Sequence, residues 1–510
     1  MTAGPRLPLL LTAVAITAAN FMNVLDTTIA VVSLPAISGS LGATPSQGAW
    51  VLTSYSVCLA VILPLSPWIS RRYGEIRTFV ASVIMFSITS MLCGIAPNFE
   101  TLILFRALQG LSSGLIVPLS QTLVLRVYPP ERHGFAIGLW SVTSTTAPVL
   151  GPLIGGYITD NFGWPWIFYI NIPLGIVAGT IIWTNLAHTD RAGPRIPVDG
   201  TGMLLLAVVV IMLQLVLDKG HEFDWFASPG IRLMLNVAII AGIAFYLWER
   251  REPHTIIDYS LFRYPVFVMA SIMASLFHIT YFGSMIPYPI WMQSVLGYTA
   301  TWSGLVMAGT SVLPVFGMML VGKNMPRWNL RYLMVGGALF GLYGIYLQSG
   351  CTTDTTFVDM LRARIVIGVG FTLLWPPIMA LTLSSVPPDK TTSAASFFNF
   401  FRIFSTSVGI AFGITLWQSR TVFHRQHLVE ELIPWQPGKD QAFAPLADLA
   451  GDNDTAVWGI VEHLTNLQAL TMGVSDAFLL LAILVIPVVL LVPFLPAKMP
   501  SAKAAVAIGE

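Results

Sequence analysis

Fourteen stretches of about twenty predominantly apolar residues follow one another along the chain, and this repetition constrains the fold more than any other feature. A helix of about 20 apolar residues crosses a bilayer core of about 30 Å. All of its backbone hydrogen bonds are internal, so it crosses without exposing unpaired groups to lipid. The sequence therefore predicts an all-α polytopic membrane protein with 14 transmembrane helices. The expected spans are residues 8–32, 49–70, 78–96, 102–125, 135–158, 166–187, 200–217, 232–249, 266–290, 303–322, 331–349, 362–385, 396–418 and 474–495.

Composition supports a membrane protein and argues against several other classes. Hydrophobic residues make up 55% of the 510 residues and charged residues only 10%, whereas soluble domains carry about 25% charged residues. A net charge of +1 argues against a nucleic-acid-binding protein, which would carry a clear excess of basic residues. The three cysteines, Cys58, Cys93 and Cys351, show neither disulfide nor metal-ligand spacing. The first apolar stretch carries Asp26 and is too long for a signal peptide, so we interpret it as a spanning helix.

Lysine and arginine residues predict the orientation in the membrane. With the N-terminus in the cytoplasm, 17 of the 26 fall in inside segments and five in outside segments, while four lie in spans or at their mouths. Cytoplasmic loops carry the excess of such residues. We therefore expect both termini to be cytoplasmic.

An internal repeat divides the chain. Arg364, Gly368 and Pro376 repeat, 258 residues later, the spacing of Arg106, Gly110 and Pro118. The segments that follow, 128–132 and 386–390, share this offset, and 41–44 resembles 296–299 at an offset of 255. Helices 1–6 are thus predicted to recur as helices 9–14, with two inserted helices between them. The expected domains are 1–190, 191–264 and 265–510. Transporters are built from such repeats, with a midplane site between the halves.

The acidic residue that lies deepest in a predicted span is Asp26, and its expected partner is Arg106. A charge at this depth costs about 2.5–3.5 kcal/mol and marks a functional site by default. The two residues differ in predicted depth by about 3 Å at 1.5 Å per residue. We interpret the pair as a proton-coupling site, with a fixed structural ion pair as the alternative. His278 is a further proton-coupling candidate, with a hydrogen-bonded core residue as the alternative.

Polar and aromatic residues at similar depths are candidates for lining a substrate cavity, because pockets for lipophilic ligands are mostly apolar with a few placed polar groups. Each of them has helix packing or interfacial anchoring as the alternative role. The predicted substrate-binding residues are Asn23, Gln109, Gln121, Tyr281, Tyr288, Trp375 and Asn399.

The energy source is expected to be an ion gradient. The segment Gly317–Lys323 begins like a phosphate loop but is followed by Asn324 and ends a membrane span. The sequence contains no other nucleotide motif, metal cluster or nucleophile elbow. We therefore expect no cofactor and no metal site, and the proton gradient as the driving force.

Several segments carry a family resemblance. Leu104–Gly110 resembles the helix-4 motif of the major facilitator superfamily, and Ala147–Gly156 resembles its helix-5 antiporter motif. Other segments resemble the fourteen-helix drug:proton antiporters of the EmrB/QacA group, especially its EmrB-like branch: Leu25–Pro35, Trp164–Pro173, Leu217–Phe226 and Leu261–Arg263. The resemblance implies the major facilitator fold and a conformational role for Gly151, Pro152, Gly155 and Gly156.

The resemblance also implies a function and partners. It suggests a bacterial inner-membrane multidrug efflux antiporter that exports lipophilic toxic compounds, including antibiotics, in exchange for protons. EmrB-like exporters imply a periplasmic adaptor, which is an EmrA-like membrane fusion protein, and an outer-membrane channel. We expect adaptor contacts in the long periplasmic loop at about 419–473, with a short amphipathic helix around Val457–Leu470.

Other functions stay open at this stage. Within the transporter class, the alternatives are a dedicated exporter of one metabolite or siderophore and an uptake symporter. Outside it, they are a regulatory membrane scaffold and a channel. A buried Asp–Arg pair disfavours the last two, because it suits a transporter with a charge-coupled site.

Overall fold

A computed structural model describes residues 9–43, 48, 50–190, 199–220, 222–252, 258–431 and 454–498. Twelve of its helices are long and apolar enough to cross a membrane. Two more spans, at residues 50–73 and 130–159, are bent by more than 40°, and counting each as one span brings the number to as many as 14. This confirms the predicted fourteen-helix architecture. The elements are α1 (Leu9–Ser40), α2 (Trp50–Ile62 and Ser66–Tyr73), α3 (Glu75–Gly94), α4 (Phe99–Val127), α5 (His133–Phe162), α6 (Trp166–Tyr169 and Asn171–Leu186), α7 (Gly200–Lys219), α8 (Pro229–Glu249), α9 (Pro265–Met285 and Pro287–Ser294), α10 (Ala300–Asn324), α11 (Leu330–Ser349), α12 (Phe357–Ser384), α13 (Thr391–Glu431) and α14 (Asp454–Ile483 and Ile486–Leu491).

Local sequence explains where these helices begin and bend. Asn98 and Thr356 cap α4 and α12 by accepting hydrogen bonds from backbone N–H groups of the first turn. Proline occupies the first position of α8 and α9, where its missing N–H costs nothing. The two parts of α2 meet at 61°, and the second part begins with Ser66-Pro67. Proline cannot continue the hydrogen-bond ladder and so favours this break.

The backbone repeats as the sequence spacing predicts. Gly42 and Gly297 each lie shortly after a helix and adopt left-handed backbone conformations, with φ of +66° and +67°. Glycine adopts this conformation at no steric cost. Two matching short 3-10 turns, Pro130–Arg132 and Pro388–Lys390, precede α5 and α13. Corresponding positions in the two halves therefore share local conformation as well as residue spacing.

One end of the bundle gathers basic residues from several loops, and we call it the basic end. Polar contacts join the helix ends there. Arg126 Nη1 in α4 lies 3.4 Å from Glu75 Oε2 in α3. Glu75 Oε1 also accepts a hydrogen bond from the Thr392 hydroxyl in α13 at 2.8 Å. The basic end carries Arg71, Arg72, Arg126, Arg132 and Lys390.

The two halves make close contacts toward the basic end. Ser66 in α2 and Ser396 in α13 share a hydrogen bond of 2.6 Å. In α5 and α10, a Cβ on either Gly134 or Gly322 would collide with the carbonyl oxygen of the other glycine. Such backbone approach requires small residues at the helix interface. The halves are therefore closed against each other at this end.

The inserted helices lie across the junction between the halves. α7 packs against α2 of the first half and α13 of the second. Gln214 in α7 donates to Ser407 in α13 at 2.7 Å. Just after α7, the Trp225 indole donates to Thr415 in α13 at 3.0 Å. The pair of inserted helices is thus anchored to both halves.

The expected long loop is shorter than predicted. α13 continues to Glu431, and α14 already begins at Asp454, so the expected short helix at Val457–Leu470 is part of α14. The prediction that this segment is helical is confirmed, but it is the beginning of α14 and not a short helix of its own. Ion pairs such as Arg420–Asp476 at 2.7 Å join the two extended helices, and the extended parts therefore support each other. Of the expected loop, residues 432–453 lie outside the described part of the chain.

Candidate functional site: a buried ion pair in the first half

The centre of the candidate site is the ion pair between Asp26 in α1 and Arg106 in α4. Arg106 Nη1 donates to Asp26 Oδ2 at 2.6 Å. Asp26 is only 2% exposed and Arg106 is fully buried. The predicted pairing of these residues is thus confirmed, while its role in proton coupling stays a prediction.

Two amides complete the surroundings of the Asp26 carboxylate. Gln109, one turn after Arg106 in α4, donates to Oδ1 at 3.0 Å. Asn171 in α6 donates to the same oxygen at 2.7 Å and also to Ser90 of α3. Hydrogen bonds to an ionised group are stronger than neutral ones. The site therefore holds a carboxylate with donors from α4 and α6.

Arg106 has a second set of partners that hold its position. Its Nε donates to the carbonyl oxygen of Val51 in α2 at 3.1 Å. The guanidinium lies 4.3 Å from the centre of the Tyr55 ring, a cation–π distance. The Tyr55 hydroxyl donates to Asn23 Oδ1 at 2.7 Å. Asn23 and Gln109, predicted as substrate ligands, thus lie in the network around the ion pair.

Sequence reasoning missed Tyr55 and Asn171 as members of this site. Asn171 lies in the segment Trp164–Pro173, which carries the family resemblance, but nothing in the sequence indicates its contact with Asp26. Tyr55 is one aromatic residue among many in apolar spans. In both cases the contact depends on the packing of α2 and α6 against α4 and α1, which spacing along the chain does not reveal.

The second half contains the corresponding arginine without an acidic partner in the part of the chain that the structure describes. Arg364 Nη2 donates to the carbonyl oxygen of Ser284 at 3.2 Å. Its guanidinium lies 4.7 Å from the centre of the Tyr288 ring. With its amide oxygen turned toward Arg364, Gln348 accepts from Nη2 and Nε at 3.1 Å. Tyr288, a predicted substrate residue, is therefore part of the packing around Arg364.

An aromatic cluster surrounds His278 in α9. The His278 ring lies 4.7 Å from Trp375 in α12 and 5.6 Å from Phe282. Its Nδ1 is 2.9 Å from the carbonyl oxygen of Ala274. Tyr281 packs in the same cluster, 5.1 Å from Phe371. The structure thus brings together His278, Tyr281 and Trp375, but on a different half from Asp26.

Two other predicted residues bridge the halves. Asn399 in α13 donates to Gln121 Oε1 in α4 at 2.8 Å, and both side chains are fully buried. This bond lies between the ion pair and the basic end along α4. Gln121 and Asn399 therefore join the halves in this conformation.

The glycines of the α5 motif allow α1 and α5 to approach closely. A Cβ on Gly151 would collide with Thr28 Oγ1, and one on Gly155 would lie 3.1 Å from the Ile29 carbonyl oxygen. Thr28 lies two residues after Asp26. Gly156 is half-buried, and the side chain of Pro152 lies outside the described part of the chain. α5 therefore contacts the helix that carries Asp26 and, at its other end, α10.

The residues described here contain no group of three or more His, Cys, Asp or Glu side chains arranged to hold a metal ion. The charged chemistry of the site rests on the carboxylate and guanidinium described above.

Comparison with known proteins identifies the family. The model of the Major Facilitator Superfamily matches residues 16–410. The chain belongs to the major facilitator superfamily. It is therefore a transporter and not an enzyme.

The relatives cover nearly the whole chain. The fatty acid resistance protein FarB of Neisseria gonorrhoeae is 38% identical over 92% of this chain and 93% of its own length. The multidrug export protein EmrB of Haemophilus influenzae is 37% identical over 93% of each chain. EmrB of Escherichia coli is 35% identical over 92% of each chain. The resemblance to EmrB-like drug efflux proteins is thus confirmed.

Solved structures show the same fold. The proton:xylose symporter XylE aligns with 98% of this chain and 99% of its own, with a TM-score of 0.61 and 13% identity. The human organic anion transporter MFSD10 aligns with 94% of this chain, with a TM-score of 0.58 and 12% identity. At these identities the likeness concerns the fold alone.

Proposed function

We propose that this transporter exports lipophilic compounds across the bacterial inner membrane in exchange for protons, with Asp26 as the proton carrier. The names of the relatives support efflux. The observation that carries proton coupling is the Asp26–Arg106 ion pair, buried within a spanning bundle. Ionisable residues at such depth are typical of proton relays in transporters.

The geometry suggests how protonation changes the structure. A proton on Asp26 removes the charge that pairs with Arg106 and leaves a buried cation without its counter-ion, which is unfavourable. Arg106 keeps its bonds to Val51 and its contact with Tyr55. Protonation thus weakens the attachment of α1 to α4 and α6 while α4 stays in place.

A movement of α1 can reach the contact between the halves through α5. α1 packs against α5 at Gly151 and Gly155, and α5 packs against α10 at Gly134 and Gly138. Each ligand of a two-state transporter favours the state in which it binds better. Proton binding at Asp26 and substrate binding between the halves would then favour different arrangements of the same helices.

Orientation follows from the charge bias. The positive-inside rule supports a cytoplasmic location for the basic end and for both termini. The closed contact between the halves then faces the cytoplasm. This arrangement is expected of the outward-facing state, in which the central site opens to the periplasm.

The extended ends of α13 and α14 suit the adaptor of a tripartite system. α13 has 41 residues, which span about 60 Å at 1.5 Å per residue, about twice the bilayer core. The extension carries exposed apolar residues, including Val422, Val429 and Leu464, and exposed apolar patches are typical of protein contacts. We place the EmrA-like adaptor contacts there.

Replacing the exposed residues Val422, Val429 and Leu464 together with serine tests the adaptor contacts. Loss of efflux from whole cells, with transport into isolated membrane vesicles unchanged, would support the adaptor role. Unchanged whole-cell resistance would contradict it.

The proposed exchange is tested in proteoliposomes with an imposed pH gradient and no ATP. The wild-type protein should accumulate a lipophilic dye such as ethidium against its gradient, and collapse of the pH gradient should release it. Accumulation that ignores the pH gradient would contradict proton coupling. Accumulation of one compound only, among a panel of unrelated lipophilic compounds, would favour a dedicated exporter.

A further inference from the structure

The segment Leu217–Phe226, at the junction of α7 and α8, carries part of the family resemblance but takes no part in the proposed exchange. Asp224 and Trp225 both adopt left-handed backbone conformations, with φ of +55° and +51°. Such conformations are costly for residues other than glycine. A Cβ on Gly220 would collide with the Trp225 ring, so glycine at this position lets the ring fold back onto the end of α7. The turn after α7 is therefore held in a specific and strained shape.

The last residue of α7, Lys219, is a buried charge. Its side chain is only 8% exposed, whereas that of its partner Glu222 is 32% exposed. Lys219 Nζ donates to both carboxylate oxygens of Glu222, at 3.0 and 2.9 Å, and lies 5.7 Å from the centre of the Trp50 ring in α2. An ammonium group has three donors, and within the described ranges its hydrogen bonds go to Glu222 alone. One donor of the buried cation thus stays available to a ligand, beside a carboxylate that is open on one side.

A cavity of about 350 Å³ lies against this charge pair. Lys219 and Glu222 both line it, and the rest of its lining is mainly apolar. The apolar part includes Trp50 of α2, Leu215 of α7, Phe223 of the turn, and Ile231 and Met234 of α8. Ligand sites are typically cavities of about 300–1,000 Å³ that are mostly apolar with a few placed polar groups. The charge pair and the apolar lining together therefore have the composition of a binding site for an amphiphile.

The cavity lies at the membrane surface opposite to the basic end. α2 runs from Trp50 to Tyr73 and ends beside Arg71 and Arg72 of the basic end, so Trp50 is at its other end. Tryptophan is enriched where the membrane meets water, and Trp50 and Trp225 both lie beside the end of α7. An amphiphile that enters from the bilayer therefore has its polar head at the charge pair and its hydrocarbon part against the apolar lining.

We propose that this cavity binds a zwitterionic phospholipid with a primary amine, such as phosphatidylethanolamine. The phosphate accepts a hydrogen bond from Lys219, the ammonium group of the lipid donates to Glu222, and part of one acyl chain fills the apolar side of the cavity. A head group with both charges is favoured, because a net anion faces repulsion from Glu222 and a net cation faces repulsion from Lys219. A primary ammonium also offers N–H donors for strong charge-assisted hydrogen bonds, whereas the quaternary ammonium of phosphatidylcholine offers none.

The bound lipid connects the first half to the inserted helices, since α2, α7 and α8 all line the cavity. α7 and the turn after it are bonded to α13 of the second half through Gln214 and Trp225. A ligand that binds one arrangement of these helices stabilises that arrangement. The lipid is thus a structural ligand and not the exported compound, and the inference does not rest on the proposed export function.

Lipid binding to the delipidated protein tests the proposal. Purified wild type in detergent is titrated with phosphatidylethanolamine, phosphatidylcholine or phosphatidylglycerol of identical acyl chains, and binding is measured by native mass spectrometry. Charge-assisted hydrogen bonds predict that phosphatidylethanolamine binds at least tenfold more tightly than the other two. Lys219→Met and Glu222→Gln should each weaken its binding at least tenfold. Lys323→Met, the same change in an exposed lysine near the end of α10, is the matched control and should leave the affinity unchanged.

A further variant separates the cavity from the charge pair. Met234→Trp keeps Lys219 and Glu222 but places a larger side chain in the lining of the cavity. We expect it to lose phosphatidylethanolamine binding, because the added ring takes the space of the acyl chain. Its thermal unfolding without lipid should stay close to that of wild type, which shows that the loss of binding does not come from misfolding.

Four outcomes would overturn the inference. The first is equal affinity of wild type for the three lipids. The second is a preference for phosphatidylethanolamine that persists in both Lys219→Met and Met234→Trp, since the lipid then binds elsewhere. The third is tighter binding of phosphatidylglycerol that depends on Lys219 and not on Glu222, which indicates a site for anions. The fourth is equally tight binding of soluble phosphoethanolamine, because the apolar lining then takes no part.

Discussion

Arg106 and Arg364 occupy matching positions in the two halves, yet they have different partners. Both are fully buried, and both lie four residues before a glycine against which a neighbouring backbone packs. Arg106 binds the carboxylate of Asp26. Arg364 binds the carbonyl oxygen of Ser284, the residue 258 positions after Asp26. One half thus holds a group that can change its charge, and the other holds a fixed cation.

The contacts common to both arginines belong to the scaffold, and those found beside Arg106 alone belong to the proposed coupling chemistry. Each arginine lies over a tyrosine ring, Tyr55 or Tyr288, and donates to a backbone carbonyl. These shared contacts hold a buried guanidinium in place in both halves. The carboxylate and the Asn171 donor occur beside Arg106, so they are the features that the proposed proton site adds.

Replacing each of the two arginines in turn should change stability and transport most. Arg106→Met leaves the Asp26 carboxylate buried without its cation, and we expect a loss of about 3–5 kcal/mol of stability and of all coupled export. Arg364→Met removes a cation and leaves no carboxylate unpaired, so its cost should be clearly smaller. Thermal unfolding in detergent and export in proteoliposomes measure both. Equal destabilisation by the two variants would show that the Asp26 carboxylate makes no difference to the cost of losing the arginine.

A smaller effect is expected from the amides beside the two arginines. Asn171→Leu removes a donor from the Asp26 carboxylate and should cost about 1.5–3 kcal/mol, as for hydrogen bonds to charged groups. Gln348→Leu removes the amide beside Arg364 and changes no group around Asp26, so it is the matched control. We expect Asn171→Leu to weaken proton coupling, measured as protons exchanged per exported molecule, and Gln348→Leu to leave it unchanged. A change of coupling in Gln348→Leu alone would reverse the assignment.

The glycines should behave alike in the two halves, because they belong to the scaffold. A Cβ at Gly110 would collide with the Tyr55 carbonyl oxygen, and one at Gly368 with that of Thr310. Alanine at either position should therefore cost about 1–3 kcal/mol through overpacking. Gly304→Ala is the control, since a methyl group added there would meet nothing within 4 Å. Thermal unfolding should rank both variants below this control, and a tolerated Gly368→Ala would show that the halves pack differently.

Much of the fold could be predicted from the sequence, because helix length and charge bias are local properties that the bilayer imposes. The spans, the repeat and the Asp26–Arg106 pairing all follow from such counting. The contacts of Tyr55 and Asn171 could not, since they depend on how separate helices pack. The extension of α13 to Glu431 was missed because hydropathy ends with the membrane, whereas a helix continues while partners such as Asp476 stabilise it.

Proton carriage by Asp26 is tested most directly by proton release from inverted membrane vesicles that carry a pH-sensitive dye. Lipophilic compounds are added to vesicles with wild type, Asp26→Asn or Asp218→Asn. Asp218, which is hydrogen-bonded to Gln214 in an inserted helix, provides the matched control acid. We predict that compounds release protons with wild type and Asp218→Asn but not with Asp26→Asn. Full release by a folded Asp26→Asn variant would contradict the central claim, and His278 would then be the next residue to test.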